Sequence, residues 1–210
     1  MNKNKKTCLV ACSVLEPELQ RLVKEGNLDV DLIFVNKNFH VDYSLIEQNV
    51  RKALEHTLKH YEGKIVLVYG DLCLGQDDEM KRLATEYGVV KIDALNCIDC
   101  IFGGKGKSEV VDSEHKLMFM STGMIDFFKD MKIQLTSQGV AEAVFKNMFS
   151  CIEGFVILDT VDNSEECRAE LEKLNTSVRI IETRKIGVEN VKLVILEAIE
   201  QAVKNNKVTH

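Results

Sequence analysis

The sequence predicts an α/β protein with a mostly parallel, Rossmann-like sheet flanked by helices. Apolar runs alternate with amphipathic stretches along the 210 residues, which is the pattern of repeated β–α units. Residues 64–69, KIVLVY, form a continuous apolar run typical of a buried parallel strand. The composition, 45% apolar and 29% charged, is that of a globular chain. We expect one domain over 1–210, with two lobes at about 1–110 and 111–210 as the alternative division.

Strands and helices follow one another in a regular order. Strands are predicted at 7–12, 30–35, 64–69, 89–95, 116–121, 155–159 and 178–182. Helices are predicted from about 17 to 26 and at 44–61, 77–87, 123–131, 140–152 and 189–204. Ser44 and Glu47 form a capping box for the second helix. Residues 96–108, NCIDCIFGGKGKS, are predicted to form a loop that is mobile without a ligand and suited to cradling a small anion.

Charge and hydropathy exclude several classes of function. The net charge is -6 and the lysines are scattered, so no nucleic-acid-binding surface is expected. No apolar run approaches the roughly 18 to 20 residues that cross a membrane, and the first one is too short for a secretory leader. A cytoplasmic location is therefore expected. Seven cysteines, an odd number, argue against a disulfide framework in such a compartment.

Soft metal ligands follow four successive predicted strands. Cys12 lies at the end of the first strand, His40 follows the second, Cys73 follows the third, and Cys97 with Cys100 follows the fourth. The carboxyl ends of parallel strands share one edge of the sheet, where ligands bind. Thiolates and an imidazole suit zinc, an iron–sulfur cluster or cobalt. The sequence therefore predicts a metal site at this edge. Cys12, Cys73 and Cys100 are the preferred ligands, and the fourth is His40 or Cys97.

The cysteines also permit other interpretations. A free cysteine often only packs in the core, and this is predicted for Cys8, Cys151 and Cys167. Cys97 and Cys100 form a C-x-x-C pair, which has the spacing of a thiol–disulfide exchange motif. Such motifs open a helix, whereas this pair runs into a glycine-rich stretch. Packed cysteines in a plain ligand-binding domain and thiol redox chemistry both stay open as alternatives.

Short motifs in a fixed order span most of the chain. They are Ala11-Cys12 with Glu18, Phe39-His40, Tyr69-Gly70-Asp71-Leu72-Cys73, Asp99-Cys100-Ile101 with the glycines after it, Ser121-Thr122-Gly123, and Asp159-Thr160. In this set the chain resembles the domain-of-unknown-function 1638 family. Members of that family recur in anaerobic bacteria and methanogenic archaea, often beside corrinoid-dependent methyl transfer. The chain departs from the family at Leu95-Asn96, where a Pro-Arg pair is usual, and at Tyr43 and Met124.

The resemblance implies a place in corrinoid-dependent or one-carbon metabolism, with a small molecule or a corrinoid protein as the partner. Together with the predicted ligands, it gives a cytosolic metal-binding protein with zinc or an iron–sulfur cluster as cofactor. The cobalamin motif D-x-H-x-x-G is absent from the sequence, so direct corrinoid binding in that mode is not expected. The alternative is a non-catalytic module that carries or senses a metal or binds a small molecule.

Two acidic residues and four glycines complete the predicted site. Asp99 and Glu18 are expected to support the metal ligands or to act as acid–base groups. The residues expected to contact the cofactor are Gly70, Gly103, Gly104 and Gly123.

Overall fold

The computed structural model describes residues 5–205 and contains two parallel sheets flanked by helices. The first sheet has the order β2-β1-β3-β4 and is formed by Cys8–Cys12 (β1), Asp31–Val35 (β2), Ile65–Val68 (β3) and Val90–Lys91 (β4). The second has the order β5-β6-β7 and is formed by Leu117–Met120 (β5), Gly154–Asp159 (β6) and Ile180–Lys185 (β7). The α/β, Rossmann-like class is confirmed, with the strands divided between two sheets.

Helices connect the strands and cover the sheets. They are Glu16–Lys24 (α1), Tyr43–His60 (α2), Glu79–Glu86 (α3), Cys97–Phe102 (α4), Lys107–Val111 (α5), Thr122–Ser137 (α6), Glu142–Asn147 (α7), Ser164–Lys173 (α8) and Glu189–Asn205 (α9). Three short 3-10 turns follow β1, β2 and β3, at Ser13–Leu15, Lys37–Val41 and Asp71–Leu74. Among the helices of residues 5–205, none combines the length and the hydropathy of a membrane span.

The first sheet separates two hydrophobic cores, and one of them joins both sheets. Along β1, Leu9 and Ala11 face one core, whereas Val10 and Cys12 face the other, as the alternation of a strand requires. The first core lies under α1, α4 and α9 and continues to Val156 on β6. The last helix thus returns to the first sheet, and the two sheets are held together by one apolar interior.

Three local predictions are wrong. The second helix begins at Tyr43 rather than at the predicted capping box, because Asp42 caps it and accepts the Ser44 N–H at 2.8 Å. Residues 96–108 do not form an open loop, because α4 and α5 lie within them. The side chain of Asn96 accepts the Asp99 N–H at 3.0 Å and begins α4, so the C-x-x-C pair does open a helix.

Candidate functional site

The strand order creates a crevice at the carboxyl ends of β1 and β3. The chain continues from β1 to β2 on one side and reaches β3 on the other, and ligands of open parallel sheets bind at such a switch point. β1 ends with Cys12, whose Sγ accepts the Val14 N–H at 3.5 Å. β3 leads through Tyr69 into the turn Asp71–Leu74, which carries Cys73. The sequence has therefore placed two thiols at this crevice.

A cavity of about 190 Å³, called the thiol cavity below, lies at the switch point and is lined in part by residues of α6. Its polar wall consists of Cys12, His40, Tyr69, Cys73, Asn96 and Cys97. Most of the remaining wall is apolar and includes Leu15, Leu72, Ile92, Met124 and Phe127. Four of the five predicted ligands, from four strand ends, thus line one cavity that has room for an ion or a few ligand atoms.

Cys12 and His40 are in direct contact within the thiol cavity. Cys12 Sγ and His40 Nε2 are 3.2 Å apart, which is hydrogen-bonding distance for sulfur. The imidazole stacks on the Tyr69 ring, with centroids 6.3 Å apart and an angle of 6° between the planes, and the edge of Phe127 contacts it. Burial raises the pKa of Cys12 to about 12 and lowers the pKa of His40. The pair is therefore a neutral thiol beside a neutral imidazole at neutral pH.

The other two thiols of the cavity are also held in the neutral form. Burial raises the pKa of Cys73 to about 11. Burial likewise raises the pKa of Cys97 well above its usual value, and the neighbouring Cys12 and Cys73 raise it further. Cys97 Sγ lies 3.9 Å from Met124 Sδ on α6. Cys73 also raises the pKa of Cys12, so the three sulfurs are electrostatically linked.

Cys100 does not belong to this group, although it was a preferred ligand. It is 0% exposed and packs in the first core with the aliphatic side chains of β1 and α9, on the opposite face of the sheet from Cys12. It is not among the residues of the described chain that line the thiol cavity. Cys97, one helical turn earlier on α4, occupies the place that was predicted for Cys100.

Asp99 anchors the glycine-rich segment and does not line the thiol cavity. One carboxylate oxygen accepts the N–H groups of Leu95 and Gly106, at 3.0 and 2.9 Å. The other accepts the N–H and the hydroxyl of Ser108, at 2.9 and 2.5 Å. Burial acts to raise the pKa of Asp99, but the hydrogen bonds from Ser108 and the backbone outweigh it and hold that pKa below its usual value. The glycine-rich segment therefore binds the carboxylate of its own Asp99, where the sequence had predicted a small external anion.

Glu18 is a buried carboxyl group between the two sheets. It is 0% exposed, and its Oε1 accepts the hydroxyl proton of Thr160, which follows β6, at 2.6 Å. Its Oε2 is buried without a hydrogen-bond partner in the described chain. Burial raises the pKa of Glu18 to about 7, and the carboxyl in turn raises the pKa values of Cys97 and Cys100. Glu18 therefore lies close to Cys97 and Cys100, but it is not among the residues that line the thiol cavity.

Only one of the four predicted cofactor-contacting glycines lines the thiol cavity. Gly70 does so, and a Cβ there would come within 2.3 Å of the backbone after β4, so glycine is required for the close approach. A Cβ at Gly123 would lie 1.9 Å from the carbonyl oxygen of Val14, which explains this glycine by helix packing. Gly103 and Gly104 have φ values of +103° and +116° and lie outside the cavity wall.

Lys91 fixes the end of β3, and sequence reasoning missed it. Its Nζ lies 2.7 Å from Asp71 Oδ1 and donates to the carbonyl oxygens of Tyr69, at 3.2 Å, and Ile92. Lys105 lies 2.8 Å from the second oxygen of Asp71. Burial acts to raise the pKa of Asp71, but the two ammonium groups outweigh it and hold that pKa at about 2. A lysine within the predicted strand at 89–95 was the available signal.

The described donors are too far apart to form a coordination sphere. In residues 5–205, no three side chains of histidine, cysteine, aspartate or glutamate are grouped closely enough to hold a metal ion.

Outside the cavity, the predicted core packing of Cys8 and Cys167 is confirmed by their burial. The same prediction for Cys151 is wrong, because this residue is exposed in a turn after α7.

Fold and cavity together define an α/β protein of Rossmann-like architecture with a thiol-lined cavity at the switch point of its first sheet. The family described as Protein of unknown function (DUF1638) has a model that matches residues 34–195. The chain belongs to this family, as its motifs predicted. Comparisons with curated proteins and with solved structures give no match.

Proposed function

We propose that this chain binds a thiophilic metal ion, or a cofactor that carries one, in the thiol cavity. The proposed donors are Cys12, His40, Cys73 and Cys97. Three sulfurs and one imidazole nitrogen form a donor set that suits zinc or an iron–sulfur cluster. The observation that carries the proposal is the convergence of these donors on one cavity, with His40 Nε2 already 3.2 Å from Cys12 Sγ.

Metal binding requires the donors to move inward and to lose protons. Burial now favours the neutral thiols, with the pKa of Cys12 at about 12 and that of Cys73 at about 11. A bound cation reverses this preference, because the thiolate is the form that ligates. Binding should therefore release protons and tighten as the pH rises. A metal with one open coordination position would supply Lewis-acid chemistry.

Replacing Cys73 with alanine is expected to abolish most of the metal affinity, because one of three sulfur donors is lost. Anaerobic titration with Co²⁺ measures this, since thiolate coordination produces a sulfur-to-cobalt absorption band. The matched control is Cys151→Ala, which removes an exposed thiol outside the cavity and should leave the band unchanged. The absence of a band in the unmodified protein, or an unchanged band in Cys73→Ala, would contradict the proposal.

A second candidate is a non-catalytic small-molecule site, which the mostly apolar wall of the cavity favours. Thiol redox chemistry has less support. Cys97 and Cys100 lie three positions apart on α4, but Cys100 is 0% exposed, and burial raises the pKa of both thiols. Reactive cysteines need an exposed thiolate, and this environment disfavours it.

The resemblance implies a role in corrinoid-dependent methyl transfer. This role remains a proposal, and it concerns the protein with which this chain would interact. The thiol cavity, at about 190 Å³, is much smaller than a corrinoid, so the corrinoid would remain on a partner protein. We expect free hydroxocobalamin to keep its visible spectrum when it is mixed with the purified chain. A spectral shift that is lost in His40→Ala would instead indicate that the chain itself ligates the corrinoid.

A further inference from the structure

A second cavity, the outer cavity, adjoins the thiol cavity. It has a volume of about 340 Å³ and shares three wall residues with the thiol cavity, namely Leu72, Asn96 and Met124. The rest of its wall comes mainly from α4, α5, β5 and the segment that joins α5 to β5. The two cavities thus lie on either side of a common boundary formed by two apolar side chains and one asparagine.

The two cavities differ in chemical character. The wall of the thiol cavity supplies sulfur and imidazole donors. The ionisable side chains on the wall of the outer cavity are Glu109, Asp112 and His115, and its described lining includes neither lysine nor arginine. Asp112 Oδ2 accepts the N–H of Leu117 at 2.7 Å, which fixes this carboxylate at the wall. Glu109 is exposed and Asp112 is half-buried, so solvent partly screens these carboxylates, and the outer cavity favours a cationic group over an anion by a modest margin.

Size also indicates that the two cavities act together. Small-molecule sites usually have volumes of roughly 300 Å³ or more, and the thiol cavity alone falls below that range at about 190 Å³. The outer cavity, at about 340 Å³, reaches that range by itself, so a ligand of ordinary size that contacts the thiols extends into the outer cavity. A ligand that reaches past Met124 would occupy both.

We infer that the two cavities hold one organic ligand, with a sulfur-containing or metal-binding end at the thiols and a cationic amine at the outer carboxylates. This inference rests on the proposed function, which supplies the soft end of the site. It disfavours phosphates and carboxylic acids as the polar end, because these anions would face Glu109 and Asp112.

The test compares two probes of equal chain length on the cobalt-loaded protein at about pH 8. They are 6-aminohexane-1-thiol and 6-mercaptohexanoate, which share a thiol for the metal and differ in the charge of the far end. Each shifts the cobalt absorption when its sulfur adds to the coordination sphere as a fifth ligand or replaces one of the four protein donors. We expect the amine to bind about tenfold more tightly, because it meets carboxylates that repel the acid. Equal affinities, or tighter binding of the acid, would overturn the inference.

A variant tests whether the preference arises in the outer cavity. Glu109→Gln should reduce the preference for the amine severalfold, because it removes one carboxylate without disturbing a hydrogen bond of the wall. Glu197→Gln, an exposed change on α9, should leave the preference intact. A preference that survives Glu109→Gln unchanged would contradict the assignment of the amine to this wall.

A separate measurement distinguishes failure of the inference from failure of the proposed function. If no cobalt band forms, metal binding fails, and calorimetry of the metal-free protein with hexylamine and with hexanoate still tests the outer cavity. Tighter binding of hexylamine would then support the amine site, and equal binding of the two would overturn it. If the cobalt band forms but the two thiol probes bind equally, only the inference fails.

Discussion

Asp99→Ala is expected to lower the free energy of unfolding by about 3–5 kcal/mol, because buried donors to a charged group lose their acceptor. The carboxylate is 0% exposed and accepts hydrogen bonds from Leu95, Gly106 and Ser108. The methyl group of alanine replaces none of them. Urea denaturation monitored by circular dichroism measures the loss.

The control for this substitution is Glu200→Ala, which removes an exposed carboxylate on α9 whose closest cation, Lys204 Nζ, is 3.8 Å away. It should leave the unfolding free energy nearly unchanged. Amide exchange adds a local readout, since residues 103–108 should exchange much faster in Asp99→Ala than in the unmodified protein. If Asp99→Ala and Glu200→Ala have equal stabilities, the role of Asp99 as the anchor of this segment is wrong.

Glu18 is expected to make the protein less stable as the pH rises from about 4.5 to 7. The folded-state pKa of about 7 lies above the unfolded value near 4.5, so the folded protein holds a proton that the unfolded chain releases. The stability that Glu18 contributes is complete below its pKa in the unfolded chain and is lost as the pH rises through its folded-state pKa of about 7. A shift of that size corresponds to about 3 kcal/mol.

Glu18→Gln should remove this part of the pH dependence, because the amide does not ionise and its oxygen can still accept from Thr160. Above about pH 7 the variant should be more stable than the unmodified protein. The measurement is the unfolding free energy at several pH values, with Glu197→Gln as a control that should keep the original profile. Parallel profiles for Glu18→Gln and the unmodified protein would show that the carboxyl does not titrate in this range.

The strands and the edge at which the donors meet could be predicted because their causes are local. A continuous apolar run such as that of β3 predicts a buried strand, and residues just past such runs lie at one edge of a parallel sheet. Cys12, His40 and Cys73 were placed in this way. The cause of their convergence, the switch point between β1 and β3, depends on strand order, which periodicity does not encode.

The errors in the candidate site have a common physical origin. The glycines after Phe102 made residues 96–108 look like a loop, so the rotation of α4 could not be read from the pattern. That rotation decides that Cys97 lines the cavity and that Cys100 enters the core. The role of Asp99 rests on bonds to residues seven and nine positions later, and Phe127 reaches the cavity from α6. These contacts are set by tertiary packing.

Elemental analysis of the unmodified protein, purified without oxygen or chelators, tests metal binding at the thiol cavity most directly. About one zinc or cobalt ion per chain, or the iron and sulfide of one cluster, is the predicted result. The same analysis of Cys12→Ala should show that metal largely lost, because Cys12 provides both a sulfur and the contact to His40. The proposal is contradicted if the unmodified protein contains no stoichiometric zinc, iron or cobalt and takes up none on anaerobic reconstitution. The cysteines would then only line an apolar ligand cavity.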